Sequence, residues 1–286
     1  MRKSEQPDVL VMTATPIPRS LAMTLYGDLD LSLMTEMPPG RIPILTRIMY
    51  EKDRPKLYQF VREKVAAGQQ AYFVFPLIEE SEKLDLKDAT KAFEKLKEIF
   101  KEFKIDMLHG RMKNVQKEEV MKRFAAGETQ ILVSTTVIEV GIDVPNATLM
   151  VIEHAERFGL SQLHQLRGRV GRGGQKSYCI LATDFKQSDL AKERLKVMEN
   201  SSDGFKIAEE DLKIRGPGDF LGTRQSGLPD FRVGNLVNDL DLLEAAREAA
   251  RQILERDPEL LEEAHRRIRP ILEHRWKGRL SLAQVG

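Results

Sequence analysis

A chain of 286 residues with 41% apolar side chains can bury one large core or two ordinary ones. Its 45 basic and 44 acidic side chains leave a net charge of +1, so any attraction to a polyanion must come from a local basic surface. The one cysteine, Cys179, excludes an intrachain disulfide framework and suits a reducing, cytoplasmic compartment, and no apolar run approaches the length of a membrane span.

Residues 1–6 are polar, and 8–12 form a short apolar strand candidate that runs into Thr13-Ala-Thr15-Pro16-Ile-Pro18. Two prolines end regular structure there. A strand that opens a chain with no neighbour of its own reads as cut into. A helical segment over 19–25 and a loop through 37–40 follow. From 44 onward the pattern alternates. A strand over 45–49 precedes a helix over 54–67 with Leu57, Val61 and Val65 on one face. A strand over 71–75, a helix over 90–103, a strand over 105–108 and a helix over 115–126 come next. Strands over 131–134, 149–152 and 178–182 complete the set, with a helix expected before the last of them. Cys179 falls in that last strand, which predicts a buried core thiol. Strands alternating with helices of this length give an α/β fold, a parallel sheet with helices on both faces. In such sheets ligands gather beyond the carboxyl ends of the strands. That rule places His109-Gly110, Thr135-Thr136 and the loop 168–172 at those ends.

After about 184 the character changes. A helix over 190–199 leads to a glycine-rich stretch through 211–227 without strand periodicity. Residues 238–256 and 258–274 read as two amphipathic helices, with Asp257 as N-cap and Pro258 at the first helical position of the second. An antiparallel helical hairpin is the simplest product.

The most informative stretch is Gln165-Leu-Arg-Gly168-Arg169-Val-Gly171-Arg172. Its glycines let backbone pass close to a bulky anion, and its arginines are permanently charged forks suited to phosphate. On a helix, Gln165, Arg169 and Arg172 would share one face. The plainer alternative is a basic turn on a solvated surface. In 131–145, Thr135 and Thr136 stand just past a strand, where hydroxyls can bond a phosphate, and Asp143 can accept from a ribose hydroxyl. The same residues can instead cap a helix and anchor a turn. His109-Gly110 carries a weaker signal of the same kind. No histidine forms a metal-ligand spacing with the lone cysteine, so no metal ligands are expected.

Together these segments resemble the second motor domain of superfamily 2 helicases. Thr13-Ala-Thr15 is similar to motif III, 70–76 to motif IV, 131–145 to motif V and 165–172 to motif VI. The wording of 11–19, 163–172 and 214–227 resembles the C-terminal part of the RecG family of bacterial branched-DNA helicases. The transcription-repair coupling factor motors share a similar element after motif VI. The resemblance implies a motif III remnant and linker over 1–40, a RecA-like domain over 41–186, and a translocation motif with C-terminal helices over 187–286.

It also implies roles. Arg169 and Arg172, with Gln165, would act on the γ-phosphate of ATP; Asp143 and Gly141 would meet the nucleotide. Thr135, His109 and Gly110 would contact the DNA backbone. Thr13, Thr15, Arg215 and Gln225 would couple hydrolysis to movement of branched double-stranded DNA. The chain has no Gly-Lys dipeptide for a phosphate loop and no Asp-Glu dipeptide for Mg²⁺. ATP and Mg²⁺ would therefore need a preceding motor domain, with a wedge domain before it, and the chain alone is expected to be inactive. The alternative is a standalone, non-catalytic RecA-like module that binds nucleic acid or protein.

Overall fold

The structure is a computed structural model. It describes residues 40–76, 82–135, 143–184, 187–215 and 239–276, with short pieces at 10, 12–13 and 32–36. The described residues fall into two compact units, the first ending with the helix at Arg215 and the second comprising 239–276.

The first unit is a six-stranded, all-parallel sheet. In chain order its elements are β1 (Leu45–Tyr50), α1 (Arg54–Ala66), β2 (Gln70–Phe75), α2 (Glu82–Ile99), β3 (Ile105–Leu108) and α3 (Asn114–Ala125). Then come β4 (Ile131–Thr135), β5 (Ala147–Ile152), α4 (Leu160–Arg167), β6 (Tyr178–Thr183), α5 (Asp189–Asn200) and α6 (Gly204–Arg215). The strand order is β1-β6-β5-β2-β4-β3. Period-two alternation along β2 sends Ala71 and Phe73 to one face and Tyr72 and Val74 to the other. The first face packs under Leu57, Val61 and Val65 of α1 and Leu96 of α2. The second packs under α3, α4, α5 and α6 through Phe124, Leu163, Leu195 and Ile207. The sheet is buried on both faces, as a parallel sheet must be. Cys179 lies fully buried in β6, where burial pushes its thiol up to about 12.

The second unit contains α7 (Leu240–Arg256) and α8 (Ile268–Trp276). Among the described residues no helix is long and apolar enough to cross a membrane.

Three expectations fail here. The helix expected at 90–103 begins earlier, at Glu82, and ends at Ile99. A whole helix, α6, was not anticipated, and its end takes in 211–215 of the stretch read as glycine-rich; its apolar Ile207, Ala208 and Leu212 are buried, so packing outweighs the glycine that starts it. The helix expected at 258–274 starts only at Ile268. Asp257 does accept from the backbone N–H groups of Leu261 and Glu262, but its other partner is the His265 ring, 3.0 Å away. That carboxylate closes a run of turns in place of a first helical turn.

One buried ion pair fastens the sheet to α1. Glu153, directly after β5, is 3% exposed and takes two bonds from the Arg54 guanidinium, at 2.8 and 2.9 Å. Removing one member strands a buried charge. Arg54→Met should therefore lower the unfolding free energy by about 3–5 kcal/mol, measured by urea denaturation. Adding Glu153→Met to that variant should recover part of the loss.

Candidate functional site

A helix that joins two parallel strands must run antiparallel to them. α4 follows β5 and precedes β6, so its last residue, Arg167, delivers the chain to the amino ends of the strands. The loop 168–172 begins there. Its surroundings agree. A Cβ on Gly171 would lie 2.8 Å from Cγ1 of Ile44, just before β1. A Cβ on Gly173 would lie 2.6 Å from the Pro145 carbonyl oxygen, just before β5. The arginine loop thus sits at the amino ends, which corrects the expectation that placed it beyond the carboxyl ends. The same geometry corrects the shared helical face: α4 stops at Arg167, so Arg169 and Arg172 lie past it and only Gln165 is helical.

Both glycines are required. Gly171 has φ of +77°, which side chains other than glycine rarely adopt, and Gly173 lets two backbones touch. That contact brings the loop to Asp143. Arg172 Nη1 stands 3.6 Å from Asp143 Oδ1, and its Nε donates to the Gly168 carbonyl at 3.2 Å. Both side chains are exposed, so the pair itself adds little stability. Arg169 is half-buried. Burial pushes the Tyr72 hydroxyl up to about 12, opposed by the charges of Arg169 and Arg172 and reinforced by Asp143. Gln165 is exposed.

At the other end of the sheet, β3 and β4 are neighbours, and Leu108 pairs with Ser134. His109 and Thr135 therefore follow side by side. Their Nδ1 and Oγ1 atoms are buried, and among the described residues neither has a hydrogen-bond partner. Unpaired buried polar atoms are costly, so such a pair marks a place where a ligand can supply the missing bonds. Burial, with Lys117 and Arg111 nearby, lowers the His109 pKa, which keeps the ring neutral. Gly110 is exposed beside it. Thr13 is also exposed. Thr136, Thr15, Gly141 and Gln225 lie outside the described residues, as does the side chain of Arg215, whose backbone ends α6.

Two arginines were missed by sequence reasoning. Arg167 is 4% exposed and donates to the carbonyls of Met198 at 3.0 Å, Ser201 at 2.6 Å and Ser202 at 3.3 Å. Arg194 donates to the carbonyls of Phe158 and Glu156. The signal for Arg167 was present. It stands seven residues after Leu160 and four after Leu163, on the apolar stripe of α4.

Residues 54–174 match the helicase conserved C-terminal domain, and 201–277 match the C-terminal part of domain 3 of the ATP-dependent DNA helicase RecG. The chain is 57% identical over 278 residues to the ATP-dependent DNA helicase RecG of Synechocystis, covering 97% of this chain and 33% of that protein. The chain belongs to the RecG family. The RecG of Thermotoga maritima is 54% identical over 264 residues, covering 92% of this chain and 34% of that protein. Among solved structures, a RecG bound to a three-way DNA junction matches at 50% identity with a TM-score of 0.68, covering 85% of this chain and 31% of that one. The chain thus spans about a third of the length of the RecG proteins it matches.

Two predictions follow from the loop. Gly173→Ala drives a Cβ into the Pro145 carbonyl and should cost about 1–3 kcal/mol of stability, whereas Gly174→Ala, whose Cβ meets open space, should leave the melting temperature unchanged. The second concerns His164 on α4. Burial and the nearby Arg167 lower its pKa from 6.5 to about 4, against an opposing pull from Asp203. The unfolded chain takes up this proton near 6.5 and the folded chain only near 4. Stability is thus complete above about pH 6.5 and declines as the pH falls towards 4. His164→Gln should flatten that part of a stability–pH curve measured by chemical denaturation.

Proposed function

We propose that this chain forms part of an ATP-dependent DNA helicase, a cytoplasmic bacterial enzyme that remodels branched DNA, such as stalled forks and Holliday junctions, in recombination and repair. The observation that carries the reading is the arginine loop at one end of the sheet, where Arg172 stands 3.6 Å from Asp143 and is held by the Gly168 carbonyl. Two guanidinium groups on a glycine-punctuated loop suit the γ-phosphate of a nucleotide, and a carboxylate beside them suits a ribose hydroxyl. The names of the relatives and the three-way junction bound by the RecG neighbour support the same reading.

These residues fit one half of an ATP site. Arg169 and Arg172 would stabilise the charge that spreads over the transferring phosphoryl oxygens, and Gln165 would orient the attacking water or an arginine. Asp143 and Gly141 would hold the sugar side. The groups that cradle the β-phosphate and bind Mg²⁺ have no counterpart in this sequence, so they would come from a preceding motor domain. Mg²⁺ would neutralise phosphate charge there.

At the carboxyl ends, Thr135 and His109 would bond DNA backbone phosphates through the atoms now unpaired, with Gly110 allowing close backbone approach. Backbone contact carries no sequence information, which suits an enzyme that acts on junctions of any sequence. Thr13 and Thr15 would sense the nucleotide state. Arg215 and Gln225 would pass its change to the duplex.

The test uses the full-length protein. Arg172→Ala should reduce junction-stimulated ATP turnover by about 10³-fold or more, while junction affinity changes little. An arginine that acts on transition-state charge is lost from kcat and not from DNA binding. Normal turnover in this variant would remove the proposed role.

A further inference from the structure

The Arg167 guanidinium is buried without a carboxylate. Among the described residues its only partners are three main-chain carbonyls, those of Met198, Ser201 and Ser202. Met198 lies in the last turn of α5, and the two serines form the turn that leads into α6. The exposed carbonyls of a helix end carry partial negative charge, which is what holds the cation there. A leucine would fill the same apolar stripe without burying a charge. Burying the charge obliges α4 and the α5–α6 turn to keep one relative position, because each lost bond leaves a buried donor unsatisfied.

That position is passed on. Gly168 and Arg169 bond back through their N–H groups to the His164 and Leu166 carbonyls, so the chain leaves α4 in a tight arc. The Gly168 carbonyl then accepts from Nε of Arg172, whose Nη1 faces Asp143. An unbroken series of contacts therefore runs from the α5–α6 turn through Arg167 and Gly168 to Arg172. On its far side the loop is fixed by Gly171 against Ile44 and Gly173 against Pro145. The turn has hydrogen bonds of its own: the Asp203 carboxylate accepts from the N–H of Phe205 at 2.8 Å, and Asp203 N–H donates to Ser201 Oγ at 3.2 Å.

We propose that Arg167 is a positioning residue through which the α5–α6 turn holds the arginine loop, and with it Arg172, in place. This rests on the ATP-site reading of that loop. α6 ends at Arg215, where the glycine-rich stretch begins.

The experiment compares three variants of the full-length protein. Arg167→Met removes all three bonds, and Arg167→Lys keeps the charge but spans fewer carbonyls. Val65→Ala, in the core on the opposite face of the sheet, supplies a loss of melting temperature without touching the clamp. At matched thermal loss, Arg167→Met should lower junction-stimulated kcat by about tenfold or more relative to Val65→Ala, with junction affinity unchanged. Arg167→Lys should recover part of it. Combined with Arg172→Ala, Arg167→Met should add nothing, because both act through one group. Equal kcat in Arg167→Met and Val65→Ala, or an additive loss on the Arg172→Ala background, overturns the proposal. If Arg167→Met does not fold, Arg167→Lys decides: kcat equal to wild type overturns the proposal. Should Arg172→Ala itself keep normal turnover, the ATP-site reading falls and this proposal with it. Should Arg172→Ala fail while Arg167→Met and Arg167→Lys turn over normally, only the clamp falls.

Discussion

In a sheet whose six strands all run the same way, every connecting helix carries the chain back to where the strands begin. The molecule therefore has two ends with different contents. At the carboxyl ends of the adjacent β3 and β4, His109 and Thr135 carry polar atoms that none of the described residues satisfies. At the amino ends, the loop after α4 lies against the residues that precede β1 and β5. A fold of this kind can meet two ligands at once, because the strands separate the two sites and the helices return the chain between them. The proposed nucleotide and DNA contacts fall on opposite ends of the sheet for that reason.

The joints of this arrangement are made by arginines. Arg54 fastens α1 to the end of β5 through a nearly inaccessible carboxylate. Arg194 ties α5 to the carbonyls of Glu156 and Phe158, ahead of α4. Arg167 ties the end of α4 to the α5–α6 turn. In each case the guanidinium fork spans two or three acceptors that come from another element. A planar fork with several donors fixes orientation as well as distance, which an apolar contact does not. Buried apolar surface supplies most of the stability of such a core. The forks decide which of several well-packed arrangements is adopted.

Sequence and structure divide the account at identifiable residues. The parallel α/β class, β3 and the positions of the other strands, and the buried Cys179 were legible in the chain. They depend on local periodicity and on residue chemistry, and neither needs a tertiary partner. The helical face assumed for Arg169 and Arg172 was not legible, because α4 ends where Arg167 finds its carbonyls in a turn over thirty residues later in the chain. α6 was left unassigned, since its glycine start hides a stripe whose burial comes from other helices. The turns after Asp257 were read as helix, because an aspartate before a proline is a good helix start until a histidine eight residues on competes for it. The sequence by itself determined which residues carry charge, hydroxyl and glycine, and hence what chemistry is available. Only the tertiary structure decided that the arginine loop stands at the amino ends, against Ile44 and Pro145, because that depends on the direction of α4 and on contacts between backbones far apart in the chain.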